Sequence, residues 1–307
     1  MDDLAARLDA ALGGVYRVEQ ELGGGTASRL FLAVEAALDR RVVIKVLAPE
    51  SASEVSAARF KREIDLAAHL QHPHILPVLS AGSQLGLLYY VMPYLEGESL
   101  RHRLQREGRL PIEDAVTILR EVADALAVAH EAGVVHRDVK PGNILLQGSH
   151  AVLTDFGVAR ALEEARGGRR LTDPGTAVGT PGYMSPEQAV GESQVDARSD
   201  VYALAIVGYE MLTGAPPFTG PTLRAMVAAH LAQTPKPLQE VRAEVPGAVA
   251  AAIARALAKD PADRFQTAAA FRDALPPPAG GYPRGRRSGL RALAAGLAAL
   301  TGWRRRT

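Results

Sequence analysis

The sequence predicts an α+β chain in two lobes: a β-rich front with one main helix, and a mostly helical back. Three observations carry this. The first 48 residues hold three runs rich in β-branched and aromatic residues and separated by turns, YRVEQELGGG, SRLFLAVEA and RRVVIKVLA. Residues 54–70 (EVSAARFKREIDLAAHL) follow with helical periodicity. After Gly97 the composition turns helical, with segments near 99–106, 112–132, 200–213, 222–232, 247–258 and 267–275. The join falls near Leu95 to Gly97, so two lobes sharing a cleft is the natural reading.

Each remaining element has its own signal. Leu4, Leu8, Ala11 and Leu12 recur at helical spacing and predict a short amphipathic helix within residues 1–15, ended by Gly13-Gly14. The helix after the third strand stops at HPHI, because the residue before a proline leaves the helical region. LLYYVMPYL is a further strand. Residues 276–289 (PPPAGGYPRGRRSG) are too rich in proline and glycine to fold alone and read as a linker. In 290–307, Leu290, Leu293, Leu297 and Leu300 recur at 3-4-3 spacing among alanines, flanked by arginines. A helix of about 14 residues spans about 21 Å, short of a hydrocarbon core of about 30 Å. This tail is expected to dock weakly on anionic lipid or on a partner helix, with a short membrane anchor as the alternative.

The bulk numbers narrow the function classes. A chain of 307 residues holds one large domain or two lobes, and 47% hydrophobic with 22% charged residues is ordinary for a soluble globular protein. There is no cysteine, which excludes disulfides and thiolate metal sites. Net charge is +1, yet every charge from Pro276 onward is an arginine, so the body is net acidic. No nucleic-acid partner is expected from that distribution. The opening MDDLAARLDAAL is acidic and amphipathic, unlike a secretory signal, and a cytoplasmic location is expected, with membrane association through the tail.

Four clusters carry chemistry. Gly23, Gly24 and Gly25 lie between two strands, where glycine lets a hairpin backbone approach a ligand and aim N–H groups at anionic oxygens. No Gly-Lys-Ser/Thr follows, so this is not a Walker loop. Lys45 sits inside an apolar strand and must reach the surface or meet an acid. Glu63 on the following helix offers one, either as a plain interior ion pair or as a way to hold the ammonium toward phosphates. VVHRDVKPGNILL (134–146) places His136, Arg137, Asp138, Lys140 and Asn143 between two apolar, strand-like runs. Such groups are costly to bury unless paired or bound, so they form either a private network or a face toward a polyanion and its metal. In TDFGVAR, Asp155 stands at a strand end, with Phe156 to pack and Gly157 to turn. Asp155 and Asn143 supply the hard oxygen donors that Mg²⁺ prefers, and His136 is expected to be structural.

These pieces occur in one order: Gly-rich hairpin, strand lysine, helix glutamate, HRDxKxxN, DFG, SPE. In that order the chain resembles the protein kinase family, and specifically the bacterial eukaryotic-like Ser/Thr protein kinases, over about residues 16–275. The resemblance implies a bilobal protein-kinase fold with an N-lobe at 16–95 and a C-lobe at 96–275. It implies ATP as substrate with Mg²⁺, and Mn²⁺ as the alternative ion. Leu22, Gly23, Gly24, Gly25 and Ser28 would form the phosphate-covering loop, with serine in the third place of G-x-G-x-x-G. Leu30 and Val43 would roof the adenine, each bulkier than usual, and Leu145 would floor it. Lys45 would contact the α- and β-phosphates with Glu63 as partner. Met92 falls where access behind the adenine is controlled, and Pro93-Tyr94-Leu95 would be the hinge.

By the same resemblance Asp138 would orient and deprotonate the acceptor hydroxyl, Lys140 would face the γ-phosphate, and Asn143 and Asp155 would hold the metal. Gly142 replaces a more usual acidic residue, and Ala205 stands where glycine is common. Glu187 and Arg264 match an ion pair, and Asp200 matches a brace for the catalytic loop. The implied function is transfer of the ATP γ-phosphate to Ser/Thr hydroxyls of proteins. A catalytically weak ATP-binding signalling scaffold is the alternative, and it predicts loss of Lys45, Asp138 or Asp155, all of which are present. GTPGYMSPEQ, with Thr180, resembles a peptide-docking loop and disfavours a small-molecule phosphotransferase. Between Asp155 and Glu187 the segment carries Thr172 and Thr176, expected to be autophosphorylated and to pair with Arg137.

Overall fold

A computed structural model describes residues 3–24, 28–47, 54–156, 181–192 and 195–277. Gly25, Gly157, Thr172, Thr176, Thr180 and the tail from 278 onward lie outside the described residues. The chain divides into two units after Pro276, and the elements that follow belong to the first.

Strands β1 (Tyr16–Gly24), β2 (Ser28–Glu35), β3 (Arg40–Leu47), β4 (Ser80–Gln84) and β5 (Leu87–Pro93) form one antiparallel sheet in the order β1-β2-β3-β5-β4. The inner strands are apolar on both faces because both faces are covered. One packs Phe31, Ala33, Val42, Ile44, Leu87 and Val91 against Leu8, Ala11 and Leu12 of helix α1 (Asp3–Leu12). The other packs Leu47, Leu88, Tyr90 and Met92 against Phe60 and Ile64 of helix α2 (Glu54–Ala68). The amphipathic spacing of α1 therefore has a tertiary reason: Leu8 is fully buried, closing the back of the sheet. Helix α1 ends at Gly13 and Gly14, both at positive φ (58° and 79°), where a Cβ would be strained.

The fourth strand escaped the sequence reading. SAGSQ has no β-branched residue, but as an edge strand it needs one neighbour only, and Gly82 lets the Tyr89 ring lie across it. A Cβ at Gly82 would sit 2.3 Å from that ring. The run before His136 differs in the opposite sense. Val134 and Val135 are not strand, because the next backbone N–H groups, of His136 and Arg137, donate to the Asp200 carboxylate instead of to a ladder.

Behind the sheet, the 72–76 segment after α2 is tied to the C-lobe: Leu76 N–H donates to Leu153 O and Leu153 N–H to His74 O, each at 2.9 Å. A small sheet of β6 (Glu98–Ser99), β7 (Ile144–Gln147) and β8 (His150–Leu153) follows the hinge region. The helices are α3 (Leu100–Glu107), α4 (Ile112–Glu131), α5 (Pro186–Ala189), α6 (Ala197–Thr213), α7 (Leu223–Ala232), α8 (Leu238–Val241), α9 (Gly247–Ala256) and α10 (Ala268–Ala274). Helix α6 is buried continuously from Ser199 to Leu212, as expected of a helix at the centre of a lobe. Ser99, Asp196, Thr222 and Thr267 cap α3, α6, α7 and α10 with side-chain oxygens. Among the described residues no helix is long and apolar enough to cross a membrane.

Candidate active site

The 136–143 loop is assembled by hydrogen bonds around the buried Asp200. Asp200, 1% exposed at the start of α6, accepts the N–H of His136 on Oδ2 and that of Arg137 on Oδ1, both at 2.8 Å. His130 Nε2 adds a third bond to Oδ2 at 2.8 Å. Burial acts to raise the Asp200 pKa, but the His130 hydrogen bond and the nearby imidazoles hold it below the ordinary carboxylate value. Anchored this way, Arg137 keeps a left-handed φ of 66°. His136 is structural, as expected. Its Nδ1 accepts from the Asp138 N–H at 3.2 Å, so Nε2 is the donor to Thr154 O at 2.7 Å. Its ring meets Phe156 edge-on, centroids 4.7 Å apart.

On this frame Asp138 points its Oδ2 at two donors, Lys140 Nζ at 2.6 Å and Asn143 Nδ2 at 3.0 Å. Asn143 Nδ2 also reaches Asp138 O at 2.8 Å, which turns the amide oxygen to the opposite side. The β7–β8 hairpin brings the two metal candidates together. Ile144 pairs with Leu153, and Thr154 N–H donates to Asn143 O at 2.9 Å, so Asn143 and Asp155 emerge side by side from its open end.

Lys45 contacts Asp155 Oδ2 at 2.7 Å, with the two side chains 13% and 14% exposed. The sequence points to Glu63 as partner; in the fold the Lys45 ammonium pairs with Asp155, and Glu63 is half-buried on α2. Lys45 leaves β3 on the face it shares with Leu47 and Tyr90, and its ammonium turns to Asp155, which stands at φ 70° after β8. Tyr90 donates its hydroxyl to the other oxygen, Oδ1, a contact the sequence reading did not find. Its signal is the pair of phenols, Tyr89 and Tyr90, in the otherwise apolar run LLYYVM, since a buried tyrosine hydroxyl needs a partner. Burial tends to raise the Asp155 pKa, while the Lys45 charge and the bonds from Lys45 and Tyr90 outweigh it and keep the carboxylate ionised. Burial pushes the Tyr90 phenol far up, so it remains a donor.

The residues expected to wall the adenine share one face. Register pairs Leu30 with Lys45, Val43 with Met92 and Lys45 with Tyr90, so all five leave one face of the sheet. Leu30, Val43, Leu95 and Leu145 are partly buried against Met92, Tyr90 and Leu88, forming an apolar shelf beside Lys45. Pro93 ends β5, and Tyr94 N–H returns to Arg41 O at 3.4 Å. Leu22 is 44% exposed at the mouth. At Gly24 the hairpin closes so tightly that a Cβ would sit 2.4 Å from Ser28 O, which explains one of the three glycines by packing alone.

Below the cleft, Arg264 is fully buried and grips Glu187 with two bonds of 2.8 Å. Its remaining N–H groups reach the carbonyls of Ala258, Arg198 and Lys259, and its guanidinium stacks over Tyr202 at 4.8 Å. Gln188, next to Glu187, donates to Arg137 O at 2.8 Å, linking this ion pair to the 136–143 loop.

A family model described as "Protein kinase domain" matches residues 16–275. The chain is 41% identical over 263 residues to the serine/threonine-protein kinase PknB of Mycolicibacterium smegmatis, covering 84% of this chain and 42% of that one. It is 42% identical over 258 residues to PknD of Mycobacterium tuberculosis, covering 83% and 38%, and 40% identical over 263 residues to PknB of Mycobacterium leprae, covering 84% and 42%. The chain thus spans about two fifths of the length of these relatives. With a two-lobed fold, a braced HRDxKxxN loop and a lysine–aspartate contact across the cleft, the chain belongs to the protein kinase family.

Proposed function

We propose that residues 16–275 form an active serine/threonine protein kinase that transfers the γ-phosphate of ATP to Ser and Thr hydroxyls of proteins. The observation that carries this reading is the arrangement on Asp138: Lys140 and Asn143 both bond Oδ2, which leaves Oδ1 for an acceptor hydroxyl. In this reading Asp138 orients that hydroxyl and takes its proton. Lys140 is placed to follow the γ-phosphate, and Lys45 to neutralise the α- and β-phosphates under the apolar shelf that holds the adenine. Lysine at position 140 and the names of the relatives support serine and threonine as acceptors.

Protein kinases as a family use ATP with Mg²⁺. The donor set here fits that ion. Asp155 offers a carboxylate and Asn143 an amide oxygen, and among the described residues no cluster of three or more acidic or imidazole side chains would cage a metal. Mg²⁺ is ordinarily held by one or two protein oxygens plus substrate phosphates and water, and these donors also suit Mn²⁺. Bound there, the cation would neutralise developing phosphate charge; the protein's part is to hold Asp155 and Asn143 together at the hairpin end.

The regulatory reading extends from the same loop. Phosphate on Thr172 or Thr176 would add about two negative charges that Arg137 could bind. Domain limits are proposed as above, with the tail docking weakly on anionic membrane or a helix and the kinase domain in the cytoplasm. Leucine spacing and flanking arginines support the tail reading, and salt-sensitive flotation with anionic vesicles tests it. The central experiment incubates the purified chain with Mg·ATP and a mixed peptide substrate, then maps phosphopeptides. Phosphoserine or phosphothreonine on peptides, and phosphate at Thr172 or Thr176, are expected. No transfer under any metal sinks the enzyme reading, and full activity of a Thr172→Ala/Thr176→Ala variant sinks the regulatory one.

A further inference from the structure

Lys45 and Tyr90 are direct cross-strand partners on β3 and β5, so their side chains leave the sheet together. Both end on one carboxylate, Lys45 on Asp155 Oδ2 and Tyr90 on Oδ1. Tyr90 is 1% exposed and packs with Phe60, Ile64 and Met92, so its ring has little freedom. Asp155 follows β8 at a φ of 70°, a left-handed angle that aspartate tolerates better than most residues. A carboxylate is held in one orientation best when each oxygen has its own donor. Here each does, and the Tyr90 donor comes from a packed ring.

We propose that Tyr90 is a positioning residue for the metal site: with Lys45 it fixes the plane of the Asp155 carboxylate relative to the sheet that roofs the nucleotide. An ionised carboxylate has about four acceptor positions, so one donor on each oxygen leaves room for a cation. An apolar side chain at position 90 would fill the same space without a donor, and the carboxylate would pivot about its bond to Lys45 alone. Tyr90 acts through Asp155, and this role rests on Asp155 being the metal ligand proposed above.

The test is calorimetric titration of the full chain with a non-hydrolysable ATP analogue, with and without Mg²⁺, alongside melting curves. Wild type is expected to bind the analogue more tightly with Mg²⁺, and Asp155→Asn to lose that gain. Failure of either result overturns the metal-ligand reading itself. Tyr90→Phe keeps the ring, so it is expected to preserve the metal-free affinity while losing about three- to tenfold of the Mg²⁺ gain. In the Asp155→Asn background the same change should add nothing. With the first two results in hand, a Tyr90→Phe protein whose Mg²⁺ gain equals that of wild type overturns the positioning role. So does one that weakens metal-free and Mg²⁺-dependent binding equally. Should Tyr90→Phe fail to fold, Tyr90→Met, also without a donor, carries the same comparison.

Discussion

The two sides of the cleft are built differently. On the side proposed for the acceptor, the loop carrying Asp138 is fastened through its backbone: the buried Asp200 takes two consecutive N–H groups, and the buried His136 ring bridges to Thr154 O. On the side proposed for the nucleotide, Asp155 is fastened through its side chain, by Lys45 and Tyr90 from the opposite lobe. Backbone anchoring within one lobe keeps the acceptor geometry independent of what the lobes do. Side-chain anchoring across lobes makes the nucleotide geometry depend on a few atoms. Single changes should therefore injure nucleotide chemistry without unfolding the protein, whereas changes beneath the catalytic loop should cost stability.

The largest expected effect sharpens this contrast. Lys45→Met and Asp155→Asn should each reduce phosphoryl transfer by on the order of 10³-fold, with the fold retained by circular dichroism. Asp138→Asn should be nearly as damaging but leave analogue affinity within about twofold, because that residue faces the acceptor. A variant of Asp138 that mainly weakened nucleotide binding would erase the distinction between the two sides.

Arg264→Ala tests the other half. It leaves Glu187, whose pKa burial would raise and the Arg264 and Ser199 hydrogen bonds lower, as an uncompensated carboxylate. A loss of about 3–5 kcal/mol in denaturant unfolding is expected. A loss under about 1 kcal/mol would show that this ion pair does not support the loop. Leu8→Ala comes next: it opens a cavity behind the sheet and should cost about 2–5 kcal/mol while peptide specificity stays unchanged. An unchanged midpoint would mean that α1 merely rests on the sheet.

The smallest effect is a pH dependence. The buried His230 imidazole is pushed down to about 4 by burial and by the Lys259 ammonium, against an ordinary 6.5. Below about 6.5 the unfolded chain takes up a proton that the folded one refuses, so stability should fall as pH drops toward 4 and this contribution should then level off. His230→Phe should flatten the melting-temperature profile across that window. Asp200 and Glu187, both held low, add their losses at more acidic pH, so a profile unchanged by His230→Phe would assign the whole acid limb to the carboxylates.

Much of the fold and site was legible in local pattern. The helical spacing of Leu4, Leu8, Ala11 and Leu12, the apolar β3 and β5 runs, and the order of Lys45, Asp138, Asn143 and Asp155 each report a periodicity or a spacing, which neighbouring residues encode. Edge strand β4 was not legible, because SAGSQ pairs on one side and is shaped by the Tyr89 ring lying over Gly82. Nor was the coil before His136, whose backbone donors are claimed by a carboxylate 64 residues away.

By itself, then, the sequence determined which groups are available: a lysine in a strand, a carboxylate and an amide at the two ends of a hairpin, and a family order that names their chemistry. Only the tertiary structure decided which of them meet. Lys45 lies opposite Asp155, where helical spacing offered Glu63, and Tyr90 takes the remaining oxygen because β3–β5 register sets it beside Lys45. Such choices rest on distances between residues far apart in the chain, and no local periodicity records them.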